Sequence, residues 1–397
     1  MADDQDLPRL PFRRHTLLDV APEYRDLQHE RPIAKVLTPA GDEAWLATSH
    51  DHVKALFAEE RLGRSHPDPD SAARVSTGSA AGGPMGSYAA EMEEHARLRR
   101  LLAPAFSARR MATLRTRVQD LVDDLLDRMA ALSPPVDLRD VFSFPLPVLA
   151  TCELFGMPVA DRDQLLAWTR LAATLFDTDE ADCAAGGEAL AEIVSYTQEL
   201  VEAKRTTPGD DVISDLVAAD VDASEIVGLA AVLFAGHEIT VARIDFGVLL
   251  LLTNADQLHA VTADPSLLSG AVEEILRMSA PVSYGLPRYA HTDIDIDGVT
   301  IRAGDAVLLA GAVANRDPQA FPDAERFDVT RRPNPHLSFG HGRSFCLGAG
   351  LARVELEVAF GTLFRRFPTL ALAAPLDDLQ LRITHPAGGV VRLPVTW

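Results

Sequence analysis

Apolar residues recur along this chain mostly with helical spacing, which predicts a mainly α-helical protein. Runs in which apolar side chains return every three or four residues are typical of amphipathic helices, and short alternating runs are typical of strands. The helical runs lie at 91–102, 111–132, 145–155, 162–176, 185–205, 211–219 and 269–280. The alternating runs lie at 33–48, with a hairpin turn at 40–43, at 282–312, with an Asp297-Gly298 turn, and near the C-terminus.

The longest periodic segment, residues 222–252, predicts a helix long enough to cross the whole domain. At 1.5 Å per residue it would extend roughly 45 Å. Its middle reads Ala-Gly-His-Glu-Ile-Thr over residues 235–240. A glycine, an acid and a hydroxyl inside an apolar helix cost stability. The irregularity is either tolerated by the packing or forms a kink that opens a groove for a ligand.

Residues 63–90 differ in composition from the segments around them. Glycine, proline, serine and alanine dominate there, and Met85 and Tyr88 stand near the end. Long segments without periodicity inside compact domains are often lids or binding loops, so we expect a flexible substrate loop. Its glycines lack the spacing of a phosphate-binding loop, which argues against nucleotide binding.

Cys346 lies in the stretch Phe-Gly-His-Gly-Arg-Ser-Phe-Cys-Leu-Gly, residues 339–348, just before a helical run that continues to about residue 367. Unpaired N–H groups at a helix start and the nearby Arg343 would favour the thiolate form of its sulfur. Gly342 and Gly348 allow close backbone approach or a positive φ. The residues alone leave two readings open, an inert buried cysteine and a reactive or metal-binding thiolate.

The composition and the net charge of the chain exclude several classes of function. The chain has 397 residues, of which 47% are apolar and 24% charged, and this predicts a folded globular protein. The net charge of −21 argues against a nucleic-acid partner. The N-terminus carries no apolar signal region, and no uninterrupted apolar span of about 20 residues occurs, so we expect a cytoplasmic protein without a membrane anchor. Arginines gather at 97–117 and at 365–366, either as a solvated helix face or as a docking patch for an acidic protein.

The pattern Phe-x-x-Gly-x-x-x-Cys-x-Gly resembles the haem-thiolate loop of the cytochrome P450 superfamily. The motif at 235–240, the Glu-x-x-Arg motif at 274–277 and the turn-rich segment 315–328 occur in the order and spacing of soluble bacterial members, and the likeness covers essentially the whole chain. It implies one domain, 1–397, with the triangular-prism helical fold and a small β region built from 33–48, 282–312 and the C-terminus. Haem would lie between helix 222–252 and the helix after Cys346.

The resemblance also implies roles for individual residues. Cys346 would bind the haem iron. The turn-rich segment 315–328 would supply Arg326, which completes a structural ion-pair network with Glu274 and Arg277. Ser344 stands where most relatives place a histidine or arginine that binds a haem propionate. Arg343 is the candidate to make this contact instead. The implied haem-binding and oxygen-groove residues are His95, Arg99, Ala235, Gly236, Arg288, Phe339, Gly342, Arg343, Cys346 and Gly348.

One position departs from the family pattern. By the resemblance, Glu238 is the acid that feeds protons toward bound dioxygen, and the next residue is usually threonine. This chain has Ile239 there, followed by Thr240. Three explanations stay open. Thr240 takes the place of the missing threonine, a substrate hydroxyl and ordered water complete the proton relay, or the reaction depends less on the second protonation.

The implied activity is haem-thiolate monooxygenation by hydroxylation or epoxidation of a bulky apolar natural product, first of all a macrolide or polyketide intermediate of antibiotic biosynthesis. An alternative is desaturation or rearrangement of a terpenoid, and an alternative of another class is a non-catalytic haem sensor. The implied cofactors are haem b and O2, with NAD(P)H electrons arriving through a ferredoxin reductase and a ferredoxin, and we expect a monomer. The expected pocket residues are Met85, Tyr88, Phe234, Val282, Leu286 and Val390.

Overall fold

The computed structural model describes residues 7–76, 82–176, 180–282, 284–383, 385 and 387–397. The α-helices are α1 Pro22–Glu30, α2 His50–Ala58, α3 Glu91–Leu102, α4 Ala108–Ala130, α5 Pro145–Phe155, α6 Arg162–Ala172, α7 Glu180–Thr206, α8 Val212–Ala218, α9 Ala223–Ala235, α10 His237–Thr253, α11 Ala255–Ala263, α12 Leu268–Met278, α13 Gly311–Ala314 and α14 Ala349–Arg366. The strands are β1 Ile33–Leu37, β2 Glu43–Ala47, β3 Leu62–Gly63, β4 Val136–Asp137, β5 Arg288–Ala290, β6 Ile294–Ile296, β7 Val299–Ile301, β8 Ala306–Leu309, β9 Ala371–Leu372 and β10 Pro394–Thr396. The prediction of a mainly helical chain is confirmed.

The chain divides into two compact units, and the single domain expected for residues 1–397 stays a prediction. The first unit holds Met1–His95 and Glu273–Cys346, and the second holds Ala96–Val272 and Leu347–Trp397. The helices α3 and α12 each continue from one unit into the other. The segments of each unit are far apart in sequence, so both units depend on long-range packing.

A five-stranded sheet with the order β1-β2-β8-β5-β3 organises the first unit. The predicted hairpin at 33–48 is confirmed, since β1 and β2 pair antiparallel from Ile33 opposite Ala47 to Leu37 opposite Glu43. The Asp-Gly turn is confirmed as well: β6 and β7 pair around Asp297 and Gly298, which both have positive φ. Apolar residues from α1, α2 and the sheet fill the core of this unit.

Packed helices make up most of the second unit, and the C-terminal strands also belong to it. α14 lies against α4, α10 and α5, and α6 lies against α7. The strand β10 pairs with β4 on one side and with β9 on the other, in a separate three-stranded sheet. The expectation that the C-terminus would join the β region of residues 33–48 and 282–312 is therefore wrong, because its strand partner is residues 136–137.

The predicted central helix is present but interrupted at one residue. α9 ends at Ala235 and α10 begins at His237, while Gly236 forms a tighter turn by donating its N–H to the Leu233 carbonyl at 3.1 Å. The helix is thus interrupted at the position where the sequence is irregular, and the groove for a ligand stays a prediction. In the described part of the chain, Ala223–Thr253 is the one stretch long and apolar enough to cross a membrane, yet 56% of its most apolar window is buried within the protein. A core helix of a folded domain has the same properties.

Close packing between α10 and α14 generates a stability prediction. A Cβ atom at Gly247 would overlap the buried ring of Phe360, approaching Cε1 to 2.8 Å. We expect Gly247→Ala to lower the free energy of unfolding by about 1–3 kcal/mol, because the core has no space for the added methyl group. The matched control is Gly187→Ala in α7, where a Cβ would meet nothing within 4 Å. Alanine should raise helix stability there by up to about 1 kcal/mol. Urea unfolding measures both, and equal effects would contradict the packing argument.

Candidate active site

The loop before α14 exposes Cys346 on a backbone shaped by glycine. Gly340 and Gly342 have φ values of +72° and +66°, a conformation that residues with a side chain rarely adopt. A Cβ at Gly342 would also stand 3.0 Å from the Cα of Ala58 in α2. The Cys346 N–H donates to the Phe339 carbonyl at 2.9 Å, which closes the loop, and the cysteine side chain is exposed. Gly348, by contrast, has a φ of −78° and precedes the first turn of α14.

A fully buried ion-pair network holds the segment that leads into this loop. The guanidinium of Arg277 donates to both carboxylate oxygens of Glu274, at 2.7 and 2.8 Å. The same guanidinium donates to the main-chain carbonyls of Asn315, Ala324 and Arg326. One side chain therefore ties α12 to the turn-rich segment at three points.

The third member of this network is Arg331, which corrects the expectation of Arg326. Arg331 Nε donates to Glu274 Oε1 at 3.1 Å, and the side chain is nearly buried. Arg326 contributes its carbonyl oxygen, which accepts from both Arg277 and Arg331, while its own side chain is exposed. Asn334 and the Asp328 N–H complete the set of donors to Glu274. The sequence has several arginines in and just after the turn-rich segment, and no local pattern distinguishes the one that binds Glu274.

A second group of cations lies in the same unit. The Arg288 guanidinium stacks over the ring of Phe57. Burial, and then the neighbouring guanidinium groups of Arg343 and Arg64, lower the pKa of Arg288 to about 10. Arg343 uses one nitrogen to donate to the Leu62 carbonyl at 2.8 Å. Within the described residues, no hydrogen bond joins Arg288 to a carboxylate, so this cluster favours an anionic ligand. His95 and Arg99 lie one turn apart on α3, and both are half-buried.

The central helix of the second unit presents two different faces. Ala235, Gly236 and Ile239 are exposed, as is Val232 one turn earlier, and together they form an apolar stripe at helical spacing. Phe234, His237 and Glu238 are buried on the other side. Ile239, at 52% exposure, is thus the residue that continues the stripe. Thr240 is half-buried and lies one position further around the helix.

Glu238 is the most constrained acid of this helix. Its Oε2 accepts from Arg382 Nη1 at 2.9 Å and from Arg139 Nη2 at 3.4 Å, and Arg139 also binds the fully buried Asp245 at 2.6 Å. Burial raises the pKa of Glu238, but the guanidinium charges of Arg382 and Arg139 lower it by more, so the net pKa is below the usual value. Glu238 is therefore ionised at neutral pH. Neither arginine stands in a recognisable motif, so sequence reasoning missed both.

Glu238 also lines a cavity of about 410 Å³ that has both charged and apolar walls. Arg139, Asp140, Arg170, Arg382 and His385 contribute its other polar walls, and Ile383 lies at the rim with most of its surface exposed. Every lining residue belongs to the second unit. In the described parts of the chain, no three histidine, cysteine or acidic side chains are grouped as a metal site.

The expected pocket residues are distributed over both units. Met85, Tyr88 and Leu286 are exposed residues of the first unit, and Val282 is half-buried there. Phe234 and Val390 are buried residues of the second unit. Phe234 packs against His237 and does not lie on the exposed stripe. Their role as a pocket stays a prediction.

The predicted substrate loop is anchored by one carboxylate. Glu91, at the first position of α3, accepts the backbone N–H groups of Arg64 and Ser65 at 2.7 and 2.8 Å. Near the far end of the loop, Met85 N donates to the Arg64 carbonyl at 2.8 Å and Tyr88 packs its ring on His291. Residues 77–81 of this loop lie outside the described residues.

Comparison with known proteins agrees with this geometry. The family model described as Cytochrome P450 matches residues 187–381. Pentalenolactone synthase of Streptomyces exfoliatus is 44% identical, and the alignment covers 99% of this chain and all of that protein. Mycinamicin IV hydroxylase/epoxidase of Micromonospora griseorubida is 38% identical, over 98% of both chains.

Among solved structures, substrate-free cytochrome P450 PimD, a polyene macrolide antibiotic pimaricin epoxidase, has a TM-score of 0.88 and 39% identity. It covers 99% of this chain, and all of that chain is matched. The chain belongs to the cytochrome P450 family. It is a haem-dependent monooxygenase, and the P450 family uses O2 with NAD(P)H electrons delivered by redox partner proteins.

Residues of the first unit fit a haem: Cys346 offers an exposed sulfur on a glycine-shaped loop, and Arg288 offers a cation for a propionate. The second unit, taken by itself, carries the exposed apolar stripe with Ile239. A P450 haem supplies the activation of dioxygen when it is bound, whereas this chain supplies ligation, charge neutralisation and proton handling.

Sequence reasoning also missed Glu355 in α14. Glutamates inside helices are usually exposed, but Glu355 is 2% exposed, and burial raises its pKa to about 8. A signal was available: Glu355 stands four residues from both Leu351 and Ala359, on the apolar face of the helix. At neutral pH this side chain is a neutral carboxylic acid.

We expect Arg331→Ala to lower the free energy of unfolding of this P450 by about 1.5–3 kcal/mol, because it removes a charged donor from buried Glu274. The matched control, Arg326→Ala, keeps the carbonyl oxygen that the network uses and should stay within about 0.5 kcal/mol of wild type. Urea unfolding of both variants tests the assignment, and a larger loss for Arg326→Ala would overturn it.

Glu355 predicts a pH dependence of stability. Between its ordinary pKa of 4.5 and about 8, folded Glu355 keeps a proton that the unfolded chain releases. Its contribution to folding is therefore fully present below pH 4.5 and is lost as the pH rises toward about 8. Glu355→Gln stays neutral, so its unfolding free energy relative to wild type should rise by a few kcal/mol between about pH 5 and about pH 9. The same exchange at exposed Glu192 is the control, and identical slopes in both variants would contradict the burial argument.

Proposed function

We propose that this P450 oxidises a bulky apolar natural product in secondary metabolism by hydroxylation or epoxidation, and that a macrolide or polyketide intermediate is the first substrate class to test. The single observation that carries the proposal is the exposed apolar stripe on the central helix, next to a buried ionised acid. Such an arrangement favours an apolar ligand and keeps proton-handling groups separate from it. The relatives with macrolide names, including mycinamicin IV hydroxylase/epoxidase, support the substrate class.

A terpenoid substrate is the second candidate, and one observation favours it. Pentalenolactone synthase shares 44% identity over essentially the full length, and pentalenic acid synthase of Streptomyces avermitilis shares 37%. Ile239 supports this alternative. It leaves the exposed stripe without the usual threonine hydroxyl, and desaturation or rearrangement would depend less on that hydroxyl than hydroxylation does.

In this proposal each residue of the site has a separate role. Cys346 would ligate the iron, and Arg288 with His95 and Arg99 would bind the propionates. Glu238 would relay the protons that the reaction consumes, with Thr240 or a substrate hydroxyl replacing the group that Ile239 lacks. Met85, Tyr88, Val282 and Leu286 would contact the substrate.

A ferredoxin is the proposed electron donor, and the arginine-rich helices are its proposed docking surface. Most of these arginines already have acidic partners: Arg97 pairs with Glu225, Arg110 with Asp210 and Asp215, Arg115 with Glu357, and Arg366 with Asp127. Arg100, Arg109 and Arg365 are exposed and have no ion pair within the described residues. These three would contact an acidic partner. We further propose a cytoplasmic monomer.

One spectroscopic experiment tests the assignment of Cys346, and a second tests the substrate class. The reduced, carbon-monoxide-bound protein should show the strongly red-shifted Soret band of thiolate ligation. Cys346→Ser should lose it and Cys183→Ser should keep it. A non-catalytic haem sensor would show the band but no product. Titration with macrolactones and with terpenoids should then give a substrate-induced Soret shift for one class, and a shift with neither class would contradict the proposed substrates.

A further inference from the structure

Three guanidinium groups lie beside each other at the β3 edge of the five-stranded sheet in the first unit. Strand β3 pairs antiparallel with β5 in a register that, continued by one residue, sets Arg64 opposite Arg288. The Arg64 guanidinium donates to the carbonyl of Pro287, directly before Arg288. Arg343 donates to the Leu62 carbonyl of β3 at 2.8 Å. These bonds to the main chain bring together three arginines that are far apart in sequence.

The proximity of these three cations is unfavourable for the chain on its own. Burial, and then the charges of Arg343 and Arg64, lower the pKa of Arg288 to about 10, and burial also lowers the pKa of Arg64. The Phe57 ring beneath Arg288 supports a cation but carries no negative charge. Cations that are packed together and partly removed from water are stabilised by a nearby anion.

The chain supplies only part of the negative charge. In the described part of the chain, Glu91 is the one carboxylate that raises the pKa of Arg64 or of Arg288. Its oxygens accept from the backbone N–H groups of Arg64 and Ser65 and from the Ser65 hydroxyl. One carboxylate beside three guanidinium groups leaves an excess of positive charge, which a ligand with two carboxylates can balance.

The Arg64 side chain is fixed in place before any ligand binds. Besides the Pro287 carbonyl, its guanidinium donates to the Gly83 carbonyl at 3.3 Å. A guanidinium has five N–H donors, so these two bonds hold the group without using all of its donors. A donor that is already held in position loses little freedom when a carboxylate binds to it.

Haem is the ligand of this protein that carries two carboxylates, its propionates. Cys346 belongs to the same unit as the three arginines. We propose that Arg64 binds a haem propionate, and that Arg64, Arg288 and Arg343 together neutralise both propionates. No sequence motif indicated Arg64, which follows an ordinary short strand. The inference rests on the haem contacts of the proposed function.

The first test is a crystal structure of the haem-loaded protein. A propionate oxygen should lie within hydrogen-bond distance of a guanidinium nitrogen of Arg64. A propionate out of reach of Arg64, or an inorganic anion bound to Arg64 in its place, would overturn the proposal.

The second test measures the rate at which the haem-loaded protein loses haem to excess apomyoglobin. Arg64→Gln should lose haem on the order of tenfold faster, because a charged donor to a carboxylate is removed. Arg64→Lys keeps the charge without the planar fork, so its rate should lie between the two. The matched control is Arg61→Gln, which removes an exposed arginine that binds Glu59. Its rate should stay within about twofold of wild type, and an equal rate in Arg64→Gln would contradict the inference.

The dimethyl ester of haem separates propionate binding from a structural role of Arg64. The ester carries no carboxylate charge, so the full-length protein reconstituted with it should lose it at the same rate with or without the Arg64 guanidinium. The wild type should also lose the ester faster than haem. Equal acceleration of haem loss and ester loss in Arg64→Gln would mean that Arg64 only supports the fold, and the proposal would be wrong.

Arg288→Gln distinguishes failure of this inference from failure of the proposed haem contacts. If Arg288→Gln accelerates the loss of haem but not of the ester, while Arg64→Gln changes neither rate, only the inference on Arg64 fails. If neither variant distinguishes haem from its ester, the propionate role proposed for Arg288 fails as well.

Discussion

The ion-pair network around Glu274 is the interaction on which the cysteine loop depends. Glu274 and Arg277 are fully buried, and both carboxylate oxygens and three main-chain carbonyls of the turn-rich segment are satisfied by this pair and Arg331. A segment with little secondary structure has few hydrogen bonds of its own, so it needs such side-chain donors to keep one conformation. Breaking a buried ion pair on one side leaves an uncompensated charge, which is costlier than losing a surface pair.

The central helix uses its interruption to separate two kinds of chemistry. The exposed stripe is apolar, whereas the opposite side carries Glu238, His237 and Asp245 with their arginine partners. A continuous helix would keep the Phe234 carbonyl in the regular ladder, where it would be less available to the His237 ring. The turn at Gly236 therefore lies between the Phe234 carbonyl and the His237 ring that hydrogen-bonds to it.

Sequence reasoning succeeded where the information was local. The bounds of α3, the two hairpins and the interruption at Gly236 follow from periodicity and turn chemistry over a few residues. The expectation that the C-terminus joins the β region of residues 33–48 and 282–312 was wrong, because the pairing of β10 with β4 spans more than 200 residues and leaves no local signal. Arg326 was chosen over Arg331 for the same reason. Arg139 and Arg382 reach Glu238 from 99 and 144 residues away, as isolated arginines in ordinary surroundings.

The anchoring of segment 63–90 by Glu91 has a consequence for how much the length of this segment can change. The backbone of Arg64 and Ser65 is fixed by a carboxylate that belongs to the following helix, so both ends of the loop are held by the same short set of hydrogen bonds. Insertions and deletions between these ends leave the anchors in place and add little closure entropy. Loop length can therefore vary among descendants of this chain while the cysteine loop and the central helix stay unaltered.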